Sequence, residues 1–360
     1  MTKPNIIVFS PHFELRPNWD YDTPYTKGIG GSESFHIELC NALVKEGHNV
    51  TSYAPIGEDK HNTFVEGVLW LDAKGADSTK EGIWLFNRTL VPLDYLTKNN
   101  KQKFCVIMHD VTINEAWTDE RIEKLDKVFV FSRKHEWFLS ELYPKIKNKI
   151  QVMKSGCDLT RYLDIEKDLT IKRNPRSIIW ASCPTRGLSQ LLEIFTEAKE
   201  VVPDLTLDIF YGMDLLDLRN PDHRKLKTKI EKYSTYPGIT LKGKIPKQEL
   251  IKEWLTHGLW VYPTAFLEVF CMAAVEAQTF GAIPIVNPLW GVAEQVNFGN
   301  LVRGSTFDPM VQARFVEAII AFATNEPLQE ELRKEMMLQT RIKYNWDIVV
   351  KDWSDRLCRM

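Results

Sequence analysis

The sequence predicts an α/β protein built from two doubly wound, Rossmann-like domains that face each other across a cleft. Three observations carry that expectation. Short apolar runs alternate with stretches of helical spacing along most of the chain. The alternation restarts after a charged segment, Asp158 to Arg176, which closes on Asn174-Pro175 and reads as a linker. The length of 360 residues is enough for two domains with a core each.

The first array opens with the apolar run Asn5 to Ser10, then helical spacing from Ser34 to Lys45 through Phe35, Leu39, Ala42 and Leu43. A strand over Asn49 to Ala54 follows, stopped by Pro55. Further strands are predicted over 82–86, 103–108, 127–131 and 150–153, with a helix from Arg133 to Leu142. The second array begins with a strand over 177–181 and a helix over 188–200. Strands over 205–212, 239–243 and 259–262 continue it. The last stretch, Tyr344 to Trp353, has the apolar spacing of a helix that packs on something. The domains are thus drawn as 1–165 and 170–343, followed by a helix in 344–360.

Composition narrows the function. With 44% hydrophobic and 26% charged residues and a net charge of -2, the chain has no long-range field that would draw it wholesale to nucleic acid or membrane. Its 6 cysteines form no Cys-x-x-Cys pair, so neither a zinc cluster nor a disulfide framework is indicated and a reducing compartment is expected. No apolar run has the length of a membrane span, and the N-terminus enters a strand without a signal-type apolar region. A cytoplasmic location is the expectation.

The most informative stretch is Tyr262-Pro263-Thr264-Ala265-Phe266-Leu267-Glu268, continued by Val269 to Ala277 and closed by Phe280-Gly281-Ala282-Ile283-Pro284-Ile285-Val286. It reads as a strand, a loop with one carboxylate, a helix with a second, and another strand. Ligands of open α/β sheets sit at the strands' carboxyl edge, where both acids fall. Eight residues of helix rise about 12 Å. Glu268 and Glu276 can therefore hold the two hydroxyl-bearing ends of one ligand while the helix N-terminus meets its anionic middle. A nucleotide-diphosphate sugar has that form.

This Glu-x7-Glu arrangement resembles the donor-binding motif of retaining glycosyltransferases of the GT-B fold, family 4 type. The resemblance implies two facing Rossmann-like domains, with the C-terminal helix 344–360 crossing back to complete the first. It implies that Glu268 contacts hydroxyls of the transferred sugar, that backbone amides at Phe270, Cys271 and Met272 hold phosphate, and that Glu276 binds the ribose. Where the family usually has Gly, this chain has Cys271, a small side chain that packs as a hydrophobe.

Other positions fit the same resemblance. Gly28-Ile29-Gly30-Gly31-Ser32-Glu33 precedes a helix and lacks both the dinucleotide fingerprint and the Lys of a P-loop. It is similar to the family's N-terminal loop, in which Gly30 and Gly31 approach the donor phosphates. His109-Asp110 follows a strand at the carboxyl edge, and the family's His at this point contacts the donor sugar. Arg186 opens the second domain's first helix, where a guanidinium neutralises the leaving diphosphate. The family's paired cation is replaced by Ala181, and Lys244 is the candidate for the second charge.

Arg88 and Asp110 are candidates for the acceptor side. No Asp-x-Asp grouping supports a metal-bridged diphosphate, so no metal and no cofactor are expected, the nucleotide sugar being the co-substrate.

Three function classes remain open at this point: a retaining glycosyltransferase, a nucleotide-sugar epimerase or hydrolase, and a non-catalytic binder. A saccharide or lipid-linked acceptor ranks first and a hydroxymethylated DNA base second, with no obligate protein partner. Two basic runs bear on that ranking: Lys145, Lys147, Lys149 and Lys154 beside Trp137 and Phe138, and Asp222 to Lys229.

Overall fold

A computed structural model describes residues 3–12, 17–113, 115–168, 170–210, 212 and 216–360. The chain divides into two compact units: Met1–Pro24, Ile29–Asp158 and Lys343–Met360 form the first, Tyr25–Gly28 and Leu159–Ile342 the second.

The first unit is built on β1 (Ile6–Phe9), β2 (Val50–Ala54), β3 (Thr63–Val65), β4 (Val68–Asp72), β5 (Gly82–Asn87), β6 (Gln102–Ile107), β7 (Lys127–Val130) and β8 (Ile150–Val152). Among the described residues they form one sheet in the order β3-β4-β2-β1-β5-β6-β7-β8. Only β3 runs antiparallel, against β4. The central strands are continuous apolar runs because helices cover both faces, and all four residues of β1 are buried. Trp84, Phe86 and Phe104 fill the core beneath them. Each large side chain taken out of water in this way contributes roughly 1.5–3 kcal/mol.

Helix Trp346–Cys358 belongs to this unit. It starts where the Asn345 side chain accepts from the Asp347 N–H at 2.9 Å. Trp346 Nε1 donates to Glu38 at 2.7 Å and Trp353 Nε1 to the Lys154 carbonyl at 2.8 Å.

The second unit carries β9 (Asn174–Trp180), β10 (Thr206–Phe210), β11 (Ile239–Gly243), β12 (His257–Tyr262), β13 (Ile283–Val286) and β14 (Asn300–Leu301). Their order is β11-β10-β9-β12-β13-β14, with every pairing parallel. All six residues of β12 are buried. The strand anticipated over 205–212 includes Tyr211, which lies outside the described residues.

Three features differ from the sequence reading. Residues 158–176 are not an extended linker: Leu159–Glu166 is a helix that buries Leu159 and Tyr162, and Asn174-Pro175 opens β9. The division between units therefore falls after Asp158 rather than at 165. The β3–β4 hairpin was not anticipated. It turns on Glu66 (φ 49°) and Gly67 (φ 83°), and a Glu at the first position hides what Asn-Gly would announce.

Each sheet reverses its strand order once, at β1/β5 in the first unit and at β9/β12 in the second. Such switch points open a crevice beyond the strands' carboxyl ends.

Candidate functional site

In the second unit, the residues beyond β9 and β12 meet. Gly187 sits at φ 119°, and a β-carbon there would stand 2.5 Å from the Pro263 carbonyl, so only glycine lets the two loops touch. That contact brings Arg186 to Glu268: Nη1 donates to Oε1 at 2.8 Å. Tyr262 donates its hydroxyl to the same oxygen at 2.7 Å. The guanidinium also lies over the Phe266 ring, 4.3 Å from its centroid. Glu268 is nearly closed off, with 4% of its side chain exposed against 35% for Arg186.

Burial alone would discourage the charge on Arg186, but Glu268 outweighs it and raises the guanidinium's pKa. Burial first, and then the Glu268 charge, push the Tyr262 hydroxyl well above its ordinary value, so it stays a donor.

Helix Met272–Phe280 begins at Cys271 with no side chain capping it, which leaves the positive end of its dipole facing the loop. The Cys271 amide donates to Gln295 Oε1 at 2.8 Å, and Gln295 Nε2 returns a bond to the Cys271 carbonyl at 3.3 Å. The Cys271 amide, one of the three expected to hold phosphate, is thus bonded within the protein in this structure. The two flanking positions, Phe270 and Met272, border the helix mouth. Burial, followed by the Glu268 charge, keeps the Cys271 thiol protonated.

Glu276 lies on the same helix with 5% of its side chain exposed. Lys247 pairs with Oε1, and Trp254 Nε1 donates to Oε2 at 3.1 Å. Each carboxylate oxygen keeps a second acceptor position. The cation on this acid is Lys247, at the start of helix Lys247–Thr256. A lysine at the start of a helix that packs beside the acid-bearing one was a signal present in the sequence but not used.

The first unit gathers a second cluster beyond β1, β5 and β6. Helix Gly31–Lys45 starts after Gly30. A β-carbon on Gly30 would run into Glu33 Oε2, so the helix's own third residue lays a carboxylate over Gly30. Gly30 and Gly31 are the positions expected to approach donor phosphate, and Glu33 lies beside the first of them. Arg88, at φ 65°, binds outward from β5: Nε and Nη2 reach Asp110 Oδ2 at 2.9 and 2.7 Å, and Nη1 donates to Ser32 Oγ at 2.9 Å. Glu33 Oε1 lies 3.8 Å from Nη1.

Beneath them, Asn87 Nδ2 donates to Ser10 Oγ at 2.9 Å and to the Ser32 carbonyl at 3.2 Å. Ser10 Oγ meets His36 Nδ1 at 2.8 Å, and His36 Nε2 meets Ser52 Oγ at 2.7 Å.

His109 stands between the rings of Phe35 and Phe131, at 4.9 and 5.0 Å. Its Nε2 is buried without a hydrogen-bond partner among the described residues. Burial first, then Arg88, His135 and His36, hold its pKa well below the usual imidazole value, so the ring is neutral at pH 7.

The two basic runs are largely spent within the protein. Lys145 pairs with Asp119 at 2.5 Å, and Lys149 donates to the Ile122 and Leu125 carbonyls. In the other run Lys229 pairs with Glu193 at 2.6 Å. Among the described residues one group has metal-ligand geometry: Asp208, Glu253 and His257, whose ligand atoms lie within 4.8 Å of one another. Lys242 Nζ, 3.6 Å from Asp208, already supplies it with a cation. No described helix is long and apolar enough to cross a membrane.

The fold class is α/β with two parallel-sheet Rossmann-like domains, shared with GT-B glycosyltransferases. Sucrose-phosphate synthase from Thermosynechococcus elongatus superposes with a TM-score of 0.73 at 15% identity, over 98% of this chain and 97% of that one. A glycosyltransferase from Rickettsia africae gives 0.71 at 14%, over 99% and 98%. The Anabaena protein HepE in complex with UDP-glucose gives 0.70 at 12%, over 99% and 100%. At such identities the likeness is one of fold. Within the second unit, residues 181–337 match the family model of glycosyl transferases group 1. No curated protein sequence matches the chain.

Proposed function

We propose that the protein is a retaining glycosyltransferase that moves a sugar from a nucleotide-diphosphate sugar to an acceptor hydroxyl, without a metal ion or other cofactor. One observation carries the reading: two buried carboxylates flank the uncapped start of helix Met272–Phe280, Glu268 in the loop before it and Glu276 within it, with Arg186 bound to the first. The family match over 181–337 covers all three residues.

In this reading Glu276 takes the ribose hydroxyls, the helix mouth at Phe270 and Met272 takes the diphosphate, and Glu268 takes sugar hydroxyls through its remaining acceptor capacity. Arg186 neutralises charge as the C1–O bond to phosphate breaks. The acceptor oxygen bonds to C1 on the face the diphosphate leaves, and its proton passes to a phosphate oxygen. Arg186 and Tyr262 quench the Glu268 oxyanion, which favours a hydroxyl-gripping role over that of a nucleophile. Neutral His109, with an unpartnered Nε2, is suited to a hydroxyl of the donor sugar. The uridine of the HepE complex makes UDP-sugars the first donors to try.

The acceptor is a saccharide or a lipid-linked sugar. The internal pairing of Lys145, Lys149 and Lys229 speaks against the alternative of a DNA acceptor. Product analysis with and without acceptor tests the reading. Transfer product formed only with acceptor supports it, and donor consumed equally without acceptor indicates an epimerase or hydrolase.

A further inference from the structure

A short helix, Gly291–Gln295, lies outside the Glu-x7-Glu stretch and grips the segment from Glu268 to Cys271 at both of its ends. The Gly291 N–H donates to the Glu268 carbonyl at 2.7 Å, and a β-carbon on Gly291 would run into the Val269 carbonyl, so only glycine allows the approach. At the other end of the same helix, the Gln295 side chain accepts from the Cys271 N–H at 2.8 Å and donates to the Cys271 carbonyl at 3.3 Å. Gln278 Nε2 donates to the Gln295 carbonyl at 3.2 Å and to the Ala274 carbonyl at 2.8 Å, which ties this brace to the acid-bearing helix as well. Trp290, just ahead of the brace, holds φ 51°, a backbone that persists in a non-glycine residue only where the surroundings over-determine it.

The chemistry of residue 295 matters because of where its side chain ends. A helix start presents N–H groups without intrahelical partners, and the side chains that usually satisfy one are Asp, Asn, Ser or Thr at the N-cap itself. A carboxylate in that place would set a full negative charge against the positive end of the dipole, the feature an anionic ligand uses. Cys271 caps nothing with its own side chain, and the part is taken by an uncharged amide from 24 positions away. The Cys271 N–H can only donate and its carbonyl can only accept, so the orientation of the Gln295 amide is fixed by its partners. Peptide units are planar, so holding both groups of Cys271 fixes the two peptide planes that meet there, and with them the direction in which the helix start faces. Gln295 and Cys271 are both buried.

We propose that Gln295 is a positioning residue for the donor's diphosphate: its neutral amide holds Cys271 from both sides, so that the start of helix Met272–Phe280 keeps its orientation and its positive end. Gly291 holds the Glu268 end of the same segment, and the brace thereby sets the spacing between the acid that takes the sugar and the helix mouth that takes the phosphates. Gln295 touches no ligand in this account and acts through the Cys271 main chain. The inference rests on the transferase reading above and adds to it a residue that the Glu-x7-Glu stretch does not contain.

The test uses the full chain and two variants, with UDP and uridine titrated calorimetrically against each. Gln295→Glu keeps the shape, brings a negative charge to the helix start and loses the donor to the Cys271 carbonyl. It should weaken UDP at least about tenfold while uridine stays within about twofold of its affinity for the unmodified protein. Gln295→Met keeps the approximate volume and removes both hydrogen bonds without adding charge, so it remains informative if the first variant does not fold. It should weaken UDP about threefold, again more than uridine. A merely structural Gln295 would lower both affinities in step with the denaturation midpoint and leave their ratio unchanged. UDP binding by the unmodified protein together with an unchanged UDP-to-uridine ratio in the folded variants overturns this inference alone. So does tighter UDP binding by Gln295→Met, which would make Gln295 a competitor for the Cys271 N–H. Absence of binding by UDP and every other nucleoside diphosphate to the unmodified protein overturns the transferase reading and this inference with it.

Discussion

Arg186 and Tyr262 both donate to a single oxygen of Glu268, at 2.8 and 2.7 Å, so the carboxylate that would grip a sugar is held from two sides before any ligand arrives. Preorganisation of that kind favours a fixed hydrogen-bond acceptor at the carboxyl edge of β12. Glu268→Gln keeps the shape and removes the charge. Transfer should fall by at least about 100-fold, while far-UV circular dichroism stays unchanged. Turnover near that of the unmodified protein would contradict the role assigned to Glu268.

Tyr262→Phe removes one of the two donors from a site in which Tyr262 is fully buried. A lost hydrogen bond to a charged group should cost about 1.5–3 kcal/mol, read as a lower denaturation midpoint of the second unit. Activity should fall less than in Glu268→Gln because Arg186 still positions the acid. An unshifted midpoint would show that the bond contributes nothing.

Gly187→Ala should be destabilising by more than about 1 kcal/mol, since the backbone is left-handed there and the new methyl group meets the Pro263 carbonyl. Loss of activity beyond the loss of folded protein would follow from parting Arg186 from Glu268. A variant as stable and active as the parent would show that the loops need not touch.

The parts of this arrangement that sequence made legible were those with local signatures. Strand β12, the loop to Glu268 and the helix to Glu276 follow from an apolar run, a turn and a second apolar run. The helix over Arg133–Leu142 was likewise readable, with Ser132 capping it. What escaped depends on contacts between distant segments. Gln295 reaches Cys271 across 24 positions, Lys247 reaches Glu276 across 29, and Glu33 turns back over Gly30, none of which has a periodic trace. Helix Leu159–Glu166 was hidden by its charges, because only Leu159 and Tyr162 are buried in it.

Acid should loosen the first unit. Burial holds His36 down at about 3, and burial, only partly offset by a bond to the Val111 carbonyl, holds His135 at about 4, against 6.5 in the unfolded chain. Below pH 6.5 the unfolded chain takes up protons that the folded one refuses, so stability present above that value is lost as pH falls toward 4 and then 3. Denaturation midpoints at neutral pH and about two units lower check the sign, the lower pH giving the lower midpoint. A midpoint that rises on acidification would contradict neutral burial of these rings.

On the proposed reading chelation should leave transfer intact, with Arg186 and the helix start taking the part of a bridging cation. Activity abolished by chelator and restored by Mg²⁺ or Mn²⁺ would contradict that.

The central claim is that Glu268 and Glu276 grip opposite ends of one nucleotide-diphosphate sugar, and calorimetric titration of paired ligands tests it most directly. Glu268→Gln should weaken a nucleotide sugar while sparing the matching nucleoside diphosphate. Glu276→Gln should weaken both alike. Unchanged affinity for both ligands in both variants would contradict the claim.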